Sequence, residues 1–244
     1  MNLVFAAGFL VPQQVFGVLD YFRGLREAFP GACFPNVPPA GSIEARARAL
    51  ADQITMFRFP DPGRIHIVAH SMGGLDARFA LHQKLSDLHT RVASLSTIAT
   101  PHGGSPVADF FVGGGGLLDA VFSGLGAAIA AFGVTTGALG DLTTARAAQF
   151  NRDHPDDGTI PCHCYAGNQV PVLSPLRLMH NYIQRVGRTD AERENDGLVS
   201  VASASWKPLV EPPWPTDHIG EVGHTPGFDH VAAMRRVVAR ATGG

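Results

Sequence analysis

Hydrophobic positions fall into short continuous runs that alternate with longer stretches in which apolar residues recur every three or four places. Asn2–Ala7 is an apolar run closed by Gly8 and reads as a buried strand. Val15–Ala28 reads as a helix, ended by the Pro30-Gly31 turn. Ala32–Phe34 begins a second strand, and Pro35–Pro39 is loop. Ser42 is placed to cap a helix in which Arg46, Leu50 and Ile54, four residues apart, mark its surface and core faces. After the Pro60–Gly63 turn come a strand over Arg64–Ala69, a helix over Met72–Ser86 and a strand over Arg91–Thr97. Helices between short apolar strands predict a mainly parallel sheet with both faces covered.

That rhythm breaks at the glycine run Gly113–Gly116. Leu117–Phe132 is apolar, with Asp119 its one acidic residue. A helix buried under the sheet would have this composition. So would a mobile amphipathic cap over an apolar pocket, which the flanking glycines Gly133, Gly137 and Gly140 favour as hinges. Strand character returns at Ile160–Ala166, and Leu176–Arg185 is partly helical. Asp196-Gly197-Leu198-Val199 reads as a turn and a brief strand, and Pro212–Pro215 as a stiff loop. Phe228–Ala241 is an amphipathic last helix with Arg235, Arg236 and Arg240 on its wet side.

The chain has 244 residues, 45% of them hydrophobic, enough for one large core without a second domain. With a net charge of −2 and no Lys/Arg block, nothing points to nucleic acid or to a strongly anionic surface partner. Met1–Val11 lacks a basic leader and a cleavage site and is too short to cross a membrane, so it reads as the first core strand, with localisation open. Cys33, Cys162 and Cys164 read as small core or near-core residues, a Cys33 pairing being the alternative. A one-residue spacer is shorter than structural zinc sites use.

The densest chemistry lies at Ile65-His66-Ile67-Val68-Ala69-His70-Ser71-Met72-Gly73-Gly74. An apolar strand runs into a serine flanked by small residues, and a helix follows. A serine hydroxyl becomes a nucleophile when a sharp turn holds it in the open beside a base, and only small residues fit around such a bend. A plain N-cap serine is the competing reading. His70 and His102 read as structural. The base candidates are His218, His224 and His230; His218 follows the stiff loop and precedes the last helix. The acid candidates are Asp190, Asp196 and Asp217.

Four stretches carry a resemblance: Asp20-Tyr21-Phe22-Arg23-Gly24, Ala69–Gly74, Thr97–Asp109, and Asn195–Ser200 with Asp217-His218-Ile219 downstream. In this order they resemble the bacterial triacylglycerol lipases of the Pseudomonas and Burkholderia type. The resemblance implies an α/β-hydrolase fold: one domain over residues 1–244, a mostly parallel central sheet with helices on both faces, and a helical cap insertion at about 110–150. It implies a serine hydrolase of carboxylic esters, most of all fatty-acyl glycerol esters, with Ser71, Asp196 and His218 as the triad. Backbone N–H groups of Phe9 and Met72 would form the oxyanion hole, and Phe9, Leu117, Leu118, Val121 and Phe122 would line the acyl site. A carboxylesterase for short soluble esters is the alternative, and a non-catalytic binding protein of the same fold is disfavoured by the intact triad. Implied partners are a hydrophobic ester and transiently a lipid interface, with no nucleic acid and no stable membrane insertion.

The chain departs from the family pattern at Ala7, where relatives have a histidine that supports the oxyanion loop, and at Gly220, where they place a calcium-binding aspartate. No second calcium aspartate stands between Gly167 and Leu178. No cofactor and no metal are therefore expected.

Overall fold

The computed structural model describes residues 1–9, 14–15, 19–113, 136–172 and 174–243. Strands β1 (Asn2–Ala6), β4 (Ile65–His70), β5 (Val92–Ile98) and β6 (Cys162–Tyr165) form one parallel sheet in the order β1-β4-β5-β6. Its register sets Ala6 beside Ala69, Ala69 beside Thr97, and Thr97 beside Cys164, so the carboxyl ends of the strands align along one edge.

Alternation along the strands builds two cores. On one face Val4, Ala6, Ile65, Ile67 and Ala69 pack with Ala47, Leu50 and Ile54 of the helix Ile43–Met56 and with Ala77 and Ala80 of the helix Gly73–His82. On the other face Leu3, Phe5, Val68, Ile98 and Tyr165 pack with Ala233, Met234 and Val237 of the helix His230–Thr242. Phe5 is fully buried and touches the rings of Phe22, Phe29 and Phe34, a burial that contributes roughly 1.5–3 kcal/mol. A parallel sheet needs this cover on both faces, as the helix–strand alternation predicts. Ser42 caps its helix as expected, accepting from the Ala45 amide. No helix among the described residues is long and apolar enough to cross a membrane.

Three local expectations change. Instead of a helix over Val15–Ala28, β2 (Gln14–Val15) pairs antiparallel with β3 (Leu19–Asp20), and among the described residues of that range only Leu25–Ala28 is helical. Gly24, at φ 71°, sets the start of that short helix. Ala32–Phe34 makes a single parallel bridge, Cys33 to Val4, rather than a strand. Asp196–Val199 does not run on as a strand, because the Asp196 carboxylate takes the Leu198 and Val199 amides that a ladder would need; a short helix, Val201–Ala204, follows. All three cysteines are free thiols. The segment read as the cap, with Leu117, Leu118, Val121 and Phe122, lies outside the described residues.

Candidate active site

The site is assembled where β4 meets the helix Gly73–His82. Ser71 stands at the bend with φ 55°, a left-handed backbone that a side chain adopts at a cost of about 1–2 kcal/mol. Its amide is anchored on the Ile98 carbonyl at 2.9 Å. The bend is tight on every side. A Cβ at Gly73 would lie 2.5 Å from the Ala6 carbonyl oxygen and 2.7 Å from that of Ala7, and one at Gly74 would collide with the Thr100 side chain. Ala69, on the strand side of the bend, is accommodated in full burial within the sheet.

His218 reaches Ser71 from a loop before the last helix. Its Nε2 is 3.0 Å from Ser71 Oγ, and its Nδ1 is 2.8 Å from Asp196 Oδ2. Asp196 is almost completely buried, and its other oxygen accepts the Leu198 and Val199 amides at 2.8 Å each. Gly197, at φ 105°, turns the chain so that these amides point back at the carboxylate. With Nδ1 donating to Asp196, Nε2 is left to accept from the serine hydroxyl.

The remaining candidates do other things. His224 Nε2 binds the Tyr21 carbonyl, and His230 Nε2 binds the Arg23 carbonyl. Asp217 accepts from the Gly220 amide and from Thr225 Oγ1, and Asp190 is exposed. His102 is structural: Arg78 donates to its Nδ1, its Nε2 pairs with Thr97 Oγ1, and burial pushes its pKa down to about 4.

Phe9 packs in one cluster with Met72, Ile43 and Leu75, and Met72 begins the helix after Ser71. Among the described residues neither the Phe9 nor the Met72 amide has an acceptor. The loop that carries Phe9 is held by a residue the helical pattern placed on a surface-to-core boundary. Arg46 is wholly buried. It donates to the Ala7, Gly8 and Pro38 carbonyls at 2.8, 3.0 and 2.8 Å and pairs with Asp76 at 2.8 Å. Burial pushes the Asp76 carboxyl up to about 6, while Arg46 pulls it down.

A second buried group adjoins the histidine. Glu221 Oε2 lies 2.9 Å from His70 Nε2 and 3.9 Å from His218 Nδ1, and His70 Nδ1 lies 2.6 Å from the Tyr21 hydroxyl. Burial, with the charges of Asp196 and Asp217, raises the Glu221 pKa well above the carboxylate range, and burial holds His70 neutral. Glu221 carries no sequence signal beyond its place three residues after His218. His70, His218 and Glu221 offer metal-ligand atoms close together, but two of the three are nitrogens, unlike the oxygen set calcium takes. At Gly220 a Cβ would strike the Thr216 hydroxyl and lie 3.1 Å from Asp217 Oδ1, so no carboxylate fits there without rearrangement. The residues present do not fit the family's calcium.

Residues 46–113 match a family described as a PGAP1-like alpha/beta domain. A triacylglycerol lipase of Pseudarthrobacter phenanthrenivorans is 32% identical, the alignment covering 72% of this chain and 73% of the relative. The chain belongs to the triacylglycerol lipase family. A Pseudomonas fragi triacylglycerol lipase is 27% identical over 85% of this chain and 83% of its own length. Triacylglycerol lipase 2 of Saccharomyces cerevisiae is 31% identical over 70% of this chain, which spans about half (51%) of that longer protein. Among solved structures, a Bacillus licheniformis lipase in mature form superposes with a TM-score of 0.74 at 20% identity, covering 98% of this chain and 91% of the other. That likeness shows the shared α/β-hydrolase architecture of the lipase family.

Proposed function

We propose that this lipase-family chain is a serine ester hydrolase, acting on fatty-acyl glycerol esters through an acyl-enzyme. The observation that carries the reading is the alignment of Ser71 Oγ, His218 and Asp196 by hydrogen bonds of 3.0 and 2.8 Å. In the proposed cycle Ser71 Oγ attacks the ester carbonyl carbon while His218 Nε2 takes the hydroxyl proton. Asp196 holds the imidazole in the receptive tautomer and stabilises it when charged. The carbonyl electrons move onto the oxygen, where the amides of Phe9 and Met72 donate to it. Collapse breaks the ester C–O bond, and His218 returns its proton to the leaving alcohol. Water then attacks the acyl-Ser71 ester by the same proton route, freeing the carboxylic acid and Ser71.

The apolar segment 117–132 is proposed as the cap of this domain, contributing Leu117, Leu118, Val121 and Phe122 to the acyl site. The lipase names of the curated relatives support a hydrophobic ester over a charged one. The test is hydrolysis of an acyl-length series of esters by wild type and Ser71→Ala, with labelling by an organophosphonate. Loss of the adduct and of nearly all hydrolysis in Ser71→Ala is expected, with long-chain glycerol esters cleaved by wild type. An adduct retained on another residue overturns the nucleophile. Cleavage confined to short soluble esters overturns the substrate class.

A further inference from the structure

We propose that Tyr21 is a positioning residue for acyl transfer: its hydroxyl, oriented by His70 and Glu221, fixes the Gly8 amide and with it the direction of the next N–H in the chain, that of Phe9. The inference deepens the function proposed above and rests on Ser71 being the nucleophile.

One assignment of protons gives the tyrosine hydroxyl and both ring nitrogens of this group a partner. Gly8 N–H donates to Tyr21 Oη at 2.9 Å, so the oxygen is an acceptor there. The tyrosine's own proton meets His70 Nδ1 at 2.6 Å, which makes Nδ1 an acceptor and puts the imidazole proton on Nε2. That proton is donated to Glu221 Oε2 at 2.9 Å. All three side chains are buried, and burial keeps the tyrosine hydroxyl protonated and the imidazole neutral near neutral pH.

Gly8 is the point at which this order touches the reaction centre. A Cβ built on Gly8 would lie 2.6 Å from Ser71 Cβ and 2.6 Å from Tyr21 Oη. The glycine backbone is therefore wedged between the serine and the tyrosine hydroxyl, and a shift of one moves the loop against the other. Ala7 has no polar side chain to steady the loop. Arg46 holds the carbonyls of Ala7 and Gly8, and among the described residues Tyr21 is the partner of the Gly8 amide. The other end of the network, Glu221 Oε2, stands 3.9 Å from His218 Nδ1. His70 itself packs against the His218 ring, centroids 4.6 Å apart, so the loop and the histidine share one buried contact. If Tyr21 were only a core side chain, packed on Phe22, its hydroxyl would matter for stability alone.

The experiment compares Tyr21→Phe with wild type, with rates expressed per active site titrated by organophosphonate. The expected result is a kcat lower by about 10- to 100-fold, below or near the cost of removing a whole oxyanion donor. KM should stay within about twofold, and the Ki of a trifluoromethyl ketone, which forms the tetrahedral adduct, should rise by the same factor as kcat falls. A kcat per titrated site within twofold of wild type, or a loss seen only in KM or in folded fraction, overturns the proposal. Should Tyr21→Phe not fold, Glu221→Gln and Glu221→Leu decide it. Gln keeps an acceptor for His70 Nε2–H and Leu does not, so Leu is expected to fall at least ten times further in kcat, and equal losses overturn the proposal. Labelling on a residue other than Ser71 would refute the underlying function instead, and is read in the same titration.

Discussion

At the scale of single residues, the site depends on a few atoms whose partners are all specified. Asp196 divides its two oxygens between backbone amides and His218, so its orientation is set before any substrate arrives. Asp196→Asn keeps the shape but offers an amide N–H to His218 Nδ1, which favours the wrong tautomer. We expect kcat to fall by on the order of 10⁴-fold with KM little changed, measured by steady-state ester hydrolysis. Glu221 Oε2, 3.9 Å from His218 Nδ1, is beyond hydrogen-bond reach and does not replace that contact in the geometry observed.

At the scale of elements, the helix Ile43–Met56 both covers the sheet and holds the loop after β1. Its two tasks meet in Arg46, whose guanidinium spans Pro38, Ala7, Gly8 and Asp76. Arg46→Met would leave the Asp76 carboxylate and three carbonyls buried without this donor. A loss of roughly 3–5 kcal/mol is expected, read as a lower urea midpoint. The double variant Arg46→Met/Asp76→Leu should recover part of it, because it also removes the stranded charge. Across the segment 114–135, Asp109 accepts from the amide and hydroxyl of Thr144 and so ties the helix Pro106–Gly113 to the helix Thr144–Asp153.

At the scale of the whole molecule, buried neutral histidines make acid a destabilising condition. The folded-state pKa of His102 is about 4 against an ordinary 6.5, so below pH 6.5 the unfolded chain binds a proton that the folded chain refuses. The stability it contributes is complete above pH 6.5 and drains away as pH falls toward 4, by up to about 3 kcal/mol. Glu221 and Asp76, whose pKa values are raised, act with the opposite sign and soften the acid limb. The histidine contribution can be isolated with His102→Gln, which can still accept from Arg78. Its deficit relative to wild type should shrink between pH 7 and pH 4.5 in urea titrations, and a constant deficit would show that His102 protonates freely in the folded state.

The amino-acid order alone determined much of this protein. The strand–serine–helix bend was legible because it needs only local features: an apolar run, small residues at the bend and a helix start. The strands β1, β4 and β5, the Ser42-capped helix and the last helix followed from periodicity, and chain order with the resemblance selected Asp196 and His218. Tertiary structure decided what periodicity could not carry. Arg46 sits at a helical position that reads as polar, and its burial follows from Asp76, thirty residues away, facing it across two packed helices. Residues 15–28 contain enough apolar side chains for a helix, but pairing between Gln14–Val15 and Leu19–Asp20 prevails there. Glu221 and Tyr21 were invisible as site residues for the same reason. A carboxylate acquires its role only when a fold removes it from water beside two imidazoles, and that proximity, 151 positions from His70 along the chain, is a property of the packed molecule.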